Sequence, residues 1–490
     1  MSFGFTRRAK RLIFLVACCL LLSISSVAFA EADSTAISPL ALRDQFSMRQ
    51  VKDVMVYFRK MPGVDMAGIA ALMQAGSGDQ KPDEAHCAHM AEHMVFHYPV
   101  SNGVTLAYLI NSGRPSGPSY YNGYTGLDST EFWMAVPNPS AAPVLTSFLN
   151  SLFSHPLARD ASWDAEIKRS SQEIDYMTSN EVSATLNRVK VNLLKGTSYE
   201  ERLFETRLRD MKPEAISAFM KREYSPARLI LVVAGDWDED DIVAAVERGL
   251  EGIAAGKPPA TREVQISPAE SSVLRLQSVE IPRILVGVGA NSVAEGDRSA
   301  VLTLWTAVAA RLQTMTIDGL EFQPRVLTTF PMKTASAAAF TFTSSGARDE
   351  EDLQPLGGEA ARAIRGILAD FASGNVAEED LQFTPPEPDA GTKAAMDQLY
   401  ARLPQSFLDA STVLTSLIPE MSSSFSFPTE DSLLVALRVA ASKYLGEAET
   451  TVLIAIQDRS IPMVPLVVGV AAITGIGLFY FRWRKSRIAE

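Results

Sequence analysis

Apolar runs of strand length recur along the chain at residues 66–73, 131–136, 229–234, 284–288, 338–343 and 451–456. Each reads as a β-strand. Between them lie amphipathic stretches, 163–177, 359–371 and 432–444, in which apolar residues return every three or four positions and which read as helices. Alternation of this kind predicts helices packed on sheets, an α+β protein with mainly antiparallel sheets.

The order of elements repeats weakly. One helix ends near Tyr224, and a short turn leads into a β-rich strand that stops at Asp236. The same succession ends a helix at Tyr444 and a strand at Asp458, 220 residues later. Two copies of one fold are expected, at residues 31–255 and 256–460, with a linker around Gly256, Pro258 and Pro259. The length of 490 residues agrees with two domains. A second proline-rich patch at Pro385, Pro386 and Pro388 reads as a surface loop.

Both ends read as membrane-directed. Arg7, Arg8, Lys10 and Arg11 precede an apolar run and then Ala28-Phe29-Ala30, the pattern of a signal peptide over residues 1–30. Residues 461–481 carry no charge and are followed by Arg482, Arg484, Lys485 and Arg487. They predict one C-terminal transmembrane helix with a basic cytoplasmic tail, 482–490. The expected location is a single-pass membrane protein with its ectodomain outside the cytoplasm, on the periplasmic face of the inner membrane if the chain is bacterial.

Composition alters this picture little. At 47% hydrophobic and 21% charged the chain is that of a folded protein. Its net charge is −12, and both basic ends contribute positively, so the stretch between them is more acidic still. That argues against nucleic acid and suits basic peptides. Cys18 and Cys19 fall in the leader, which leaves Cys87 and no intrachain disulfide.

Chemistry concentrates at one place. Four of the five histidines, His86, His89, His93 and His97, lie within twelve residues, after a helix-start signal at Pro82-Asp83. On a helix, His89 and His93 share a face and Glu92 lies on the same side. Two imidazoles one turn apart can bind zinc, and the carboxylate beside them can take a proton from water at the metal, the inverted H-x-x-E-H arrangement. His86 and His97 read as solvated, and Cys87 points elsewhere. A third ligand must come from another segment. Glu166 and Glu173, two turns apart on one helical face, are the candidates, and spacing alone neither separates them nor excludes Asp175.

These residues resemble the pitrilysin/insulinase (M16) family of zinc metallopeptidases, over roughly residues 45–460 and most strongly in the first copy. The resemblance rests on His89, Glu92 and His93 preceded by Gly76-Ser77, on Glu166 and Glu173, on the strand edge Asn122-Gly123-Tyr124-Thr125 where the family has Asn-Ala-x-Thr, and on Tyr224-Ser225-Pro226 through Gly235-Asp236. It implies two pitrilysin-like α/β domains, with one zinc per chain on His89, His93 and Glu173. It further implies Glu92 as general base, Glu166 supporting the ligands, and Asn122, Gly123 and Tyr124 pairing with an extended peptide. It also implies a homodimer or a heterodimer with a similar chain. The expected activity is that of a membrane-anchored zinc metalloendopeptidase acting on peptides or short unfolded segments. The alternatives are a non-catalytic chamber subunit of a heterodimer and a membrane-tethered peptide-binding protein. Two departures bear on this. His86 stands where the family usually has glycine. Met315 and Phe322, beside Gly319-Leu320, stand where active members carry arginine and tyrosine in the second copy.

Overall fold

The computed structural model describes residues 39–458, apart from 100–102, 113–119, 154–156, 201–207, 261–263, 268–270, 325–327, 345, 348, 384–389, 419–429 and 447. The first part of the chain runs α1 (Pro39–Arg43), β1 (Ser47–Val51), β2 (Val54–Lys60), β3 (Met66–Met73), α2 (Cys87–His97), α3 (Leu106–Ser112), β4 (Tyr121–Thr125), β5 (Thr130–Pro137), α4 (Asn138–Phe153), α5 (Ala161–Ser179), α6 (Glu181–Leu194), α7 (Pro213–Glu223), β6 (Leu229–Gly235) and α8 (Glu239–Gly249). The second runs β7 (Ser272–Leu276), β8 (Arg283–Ala290), α9 (Arg298–Thr314), β9 (Glu321–Phe322), β10 (Thr328–Pro331), β11 (Ser336–Thr343), α10 (Glu350–Ala372), α11 (Ala390–Tyr400), α12 (Gln405–Leu417), α13 (Glu430–Tyr444) and β12 (Glu449–Gln457). Each expected strand and each expected amphipathic helix is present.

Two six-stranded sheets result. The first has the order β1-β2-β6-β3-β5-β4; the second has the path β10-β11-β8-β12-β7, with β9 on β11. Read in reverse, the second path matches the first from β2 to β4, with β1 and β9 outside the match. In each, the last strand, β6 or β12, lies parallel to β2 or β7 and antiparallel to β3 or β8. The remaining ladders are antiparallel. The 220-residue repeat is therefore a repeat of topology, and the fold is a two-domain α/β one.

The central strands are apolar on both faces because both faces are covered. On β3, Ile69, Ala71 and Met73 face a core shared with α2, α4, α7 and α8, while Ala70 and Leu72 face the other way. What covers that second face comes from the far part of the chain. Helix α12 lays Ala410, Val413 and Leu414 on Ala70, Leu72, Trp133, Val232 and Ala234. Arg59 pairs with Asp409 at 2.5 Å, and the Ser406 hydroxyl donates to the Met66 carbonyl at 2.6 Å. The exchange is reciprocal. Helix α6 lays Ala184, Val189 and Leu193 on Leu285, Ala337, Ala339 and Leu453 of the second sheet. Glycines on these faces let the helices approach closely. A Cβ at Gly287 would meet Leu193 at 2.9 Å, and one at Gly68 would land on the backbone of Ser406 and Phe407.

One expectation is corrected. Among the described residues no helix is long and apolar enough to cross a membrane, so a single-pass membrane protein is not what the structure supports. The longest described helix, α10, has the length, but it carries Glu350, Glu351, Asp352, Glu359, Arg362, Arg365 and Asp370, a charge load that hydrocarbon does not accept. The leader, the 461–481 span, the tail and the Pro385–Pro388 patch lie outside the described residues.

Gly68→Ala tests the exchange. The added methyl has backbone, not a flexible side chain, in its way, so α12 must shift off the sheet. A loss of about 1–3 kcal/mol is expected, measured by urea unfolding; an unchanged midpoint would show that the contact with α12 is slack.

Candidate metal centre

Helix α2 is held before it begins. The Ser77 and Gly78 amides donate to the carbonyls of Gly126 and Leu127 at 2.9 and 2.8 Å, which ties the turn after β3 to the β4–β5 hairpin. A Cβ at Gly76 would meet those same two carbonyl groups at 2.6 Å, so the turn needs glycine there. The Ala88 amide is capped at 2.9 Å by the Gln80 side chain. Behind the turn, Arg222 donates to both Glu84 oxygens at 2.6 Å and to Glu223 at 2.6 Å, and Arg228 reaches Glu223 at 2.6 Å. Glu84, Glu223 and Arg228 are buried, so this is a desolvated ion network.

His86 caps this turn with φ +67°, in the left-handed region where glycine is at ease. That accounts for the family's glycine. His86 is also buried, which corrects its reading as solvated. His97 likewise is not solvated. It is half-buried against Phe96 and Tyr121, and burial pulls its pKa down to about 4. Cys87 is buried away from the site, and burial pushes its thiol up to about 12.

Helix α5 begins at Asp160, whose carboxylate accepts the Trp163 amide at 2.9 Å. It brings Glu173 against the two imidazoles. Glu173 Oε1 lies 3.7 Å from His89 Nε2, and Oε2 lies 3.4 Å from His93 Nε2. The two Nε2 atoms are 3.3 Å apart. Ligand atoms of His89, His93 and Glu173 all fall within 4.8 Å of one another. Burial works against the charge on Glu173, but hydrogen bonds from both imidazoles outweigh it and hold the carboxyl well below the usual range. Burial also opposes charge on His93, yet Glu166 and Glu173 carry its pKa up to about 10. Two imidazoles and a carboxylate converging on one point are a donor set that fits zinc.

Glu166 takes a different place from Glu173. Its Oε2 is 3.3 Å from His93 Nδ1, on the ring edge away from Glu173. Glu92 lies beside the group rather than in it. It is buried, burial raises its pKa against the pull of His89 and His93, and it accepts the Thr125 hydroxyl at 2.8 Å. Its stem rests on β4, where a Cβ at Gly123 would meet Glu92 Oε1 at 2.6 Å. Asn122, Gly123 and Tyr124 thus lie on the edge strand of the sheet beside Glu92. Asp175 is not part of the group. Reasoning from sequence missed Thr125 as a partner of Glu92 and Arg169 as a partner of Glu166. Arg169 had a readable signal in its spacing of three from Glu166.

Met315 is exposed at the end of α9. Phe322, on β9, packs its ring on Phe340 and Phe342 with centroids 6.5 and 5.5 Å away. Neither supplies a polar group.

Residues 210–307 match the sequence model described as the Peptidase M16 inactive domain. The chain is thus similar to the M16 peptidases. The match lies wholly downstream of Glu173, so it does not bear on the metal group. An uncharacterized zinc protease of Rickettsia felis is 22% identical over 219 residues, 44% of this chain and 52% of that one. The stromal processing peptidase of Pisum sativum is 24% identical over 45% of this chain but only 17% of its own length. The chain thus spans about half or less of these relatives. The M16 fold is shared with an M16-like peptidase of Alicyclobacillus acidocaldarius (TM-score 0.56, 15% identity, 84% of this chain and 99% of that one). It is shared too with a ferredoxin protease solved with Arabidopsis ferredoxin (TM-score 0.54, 18% identity, 84% and 47%).

Arg222→Met tests the support of α2. It leaves the carboxylates of Glu84 and Glu223 short of a counter-charge, and a loss at the low end of roughly 3–5 kcal/mol is expected. Thermal and urea unfolding measure it; a change within error would mean that Arg228 alone suffices.

Proposed function

We propose that this M16-like chain is a zinc metalloendopeptidase whose metal is held by His89, His93 and Glu173. The observation that carries the reading is the convergence of those three ligand atoms beside a buried Glu92 on the neighbouring turn of helix. Zinc held there would supply a Lewis acid for the scissile carbonyl and for water.

The chain's own residues do the rest. Glu92, a buried carboxylate beside the three donors, takes the proton of the attacking water and returns it to the leaving amine. The Thr125 hydroxyl keeps that carboxylate turned to the site. Glu166, on His93 Nδ1, leaves Nε2 free to bind metal. The outer edge of β4 offers backbone groups to an extended peptide, so Asn122, Gly123 and Tyr124 would bind substrate by strand addition, a mode that selects unfolded segments.

Met315 and Phe322 favour one variation on this reading. They cannot do the polar work of an arginine and a tyrosine, so a second M16-like chain in a dimer would supply it. A chamber subunit without activity of its own is the rival, and the His89, Glu92, His93 and Glu173 set counts against it.

Purified protein with added Zn²⁺ should cut unstructured peptides, stop when metal is chelated and resume when zinc returns. Glu92→Gln should keep its zinc and lose roughly 10²–10⁴-fold in rate. Near-normal turnover in that zinc-loaded variant would remove Glu92 from the mechanism. Zinc binding without cleavage by the wild type would favour the obligate-partner form.

A further inference from the structure

Glu166 is a buried carboxylate, only 4% exposed at its side chain, and its contact with the metal group is one hydrogen bond to His93 Nδ1 at 3.3 Å. A single contact to one oxygen leaves a carboxylate free to turn about its last torsion. In this structure a second group removes that freedom. Arg169 Nη1 lies 2.9 Å from Glu166 Oε1 and 3.2 Å from Oε2, so one guanidinium nitrogen is shared between both oxygens.

The three residues sit on one stripe of α5. Arg169 follows Glu166 by three positions and precedes Glu173 by four, which places all of them on the face turned to α2. Arg169 is itself half-exposed, with 53% of its side chain open. The pair is therefore asymmetric, with a buried anion and a cation that reaches it from the solvent side. Exposed ion pairs contribute little to stability. An anion withdrawn from water is different, because it needs a partner of opposite charge to stay where it is.

On the reading that His89, His93 and Glu173 hold zinc, we propose that Arg169 is a positioning residue for the metal. It holds the Glu166 carboxylate in place against His93 Nδ1, which steadies the ring of His93, which aims His93 Nε2 at the point where Glu173 and His89 meet. Both contacts come from one nitrogen, Nη1, at the end of a rigid plane; an ammonium, a point charge on a flexible stem, would hold the carboxylate less firmly. Groups that orient a metal-bound histidine in this way typically change metal affinity by roughly 10–100-fold.

The test is zinc affinity by competition with a chromophoric chelator, and the visible spectrum of the Co²⁺-substituted protein, for the wild type, Arg169→Met, Arg169→Lys and Glu166→Gln. Arg169→Met is expected to bind zinc roughly 10–100-fold more weakly and to alter the cobalt spectrum, while the metal-free protein unfolds near the wild-type temperature. Arg169→Lys should recover part of the loss. In a Glu166→Gln background, Arg169→Met should add almost nothing, because it acts through Glu166. Zinc affinity unchanged in Arg169→Met overturns the proposal, and so does a loss confined to KM, which would make Arg169 a contact for substrate. A loss of full size in the Glu166→Gln background also overturns it. A wild type that binds no zinc overturns the metal reading itself, a result distinct from all of these.

Discussion

Each sheet in this chain has two apolar faces, and each gets the cover for one of them from the other part of the chain. A sheet left with Ala70, Leu72, Trp133, Val232 and Ala234 toward water would expose a contiguous apolar surface that solvent does not tolerate. Helix α12 closes that face, and α6 closes the corresponding face of the second sheet. The close approach is possible because the receiving strands are built from glycine and alanine where the helices lie: Gly68 and Ala70 under α12, Gly287, Ala337 and Ala339 under α6. The two sheets are thus one folding problem.

That constraint reaches the metal centre. Helix α5, which carries Glu166, Arg169 and Glu173, ends at Asn180, and the same residue caps α6 by accepting the Ser183 amide at 3.1 Å. A single residue therefore separates the helix that carries Glu173 from the helix buried on the second sheet. The joint is pinned there as well. Ser278 donates its hydroxyl to the Ser179 carbonyl at 2.8 Å, and Arg283 pairs with Glu181. His89 and His93 are placed by the first sheet and the ion network behind α2; Glu173 is placed by a helix anchored at its far end to the second. The three ligand atoms meet because the two sheets are locked together.

Much of this was legible in the residues. Strands buried on both sides lack polar interruptions, so their positions stood out, and the H-x-x-E-H spacing carries its own geometry. The partner of each exchanged helix was not legible. The apolar stripe of α6 says that it packs on something, but nothing local names a sheet that begins some eighty residues later. Glu166 and Glu173 show the same limit. Two carboxylates seven apart on a helix are equivalent by spacing, and only the position of the His93 ring between them separates the one that meets Nε2 from the one that meets Nδ1. His86 and His97 looked like solvated neighbours because charge and polarity favour exposure. The structure buries His86 in a left-handed turn and half-buries His97 among aromatic rings.

The second copy shows what the first gives up to carry chemistry. Helix α9 follows β8 as α2 follows β3, yet α9 buries Val301, Leu304, Trp305, Val308 and Leu312 along its length. Helix α2 instead buries Glu92 and brings two imidazoles to the same surface. A charged group in that place costs stability unless neighbours compensate it, and here they do. Thr125 and the two imidazoles face Glu92, Glu166 and Glu173 face His93, and Arg169 faces Glu166. With its apolar helix the second copy needs no such chain of partners. It can serve as the rigid body onto which α6 is fastened, and through α6 it holds the ligand-bearing helix in register with the first.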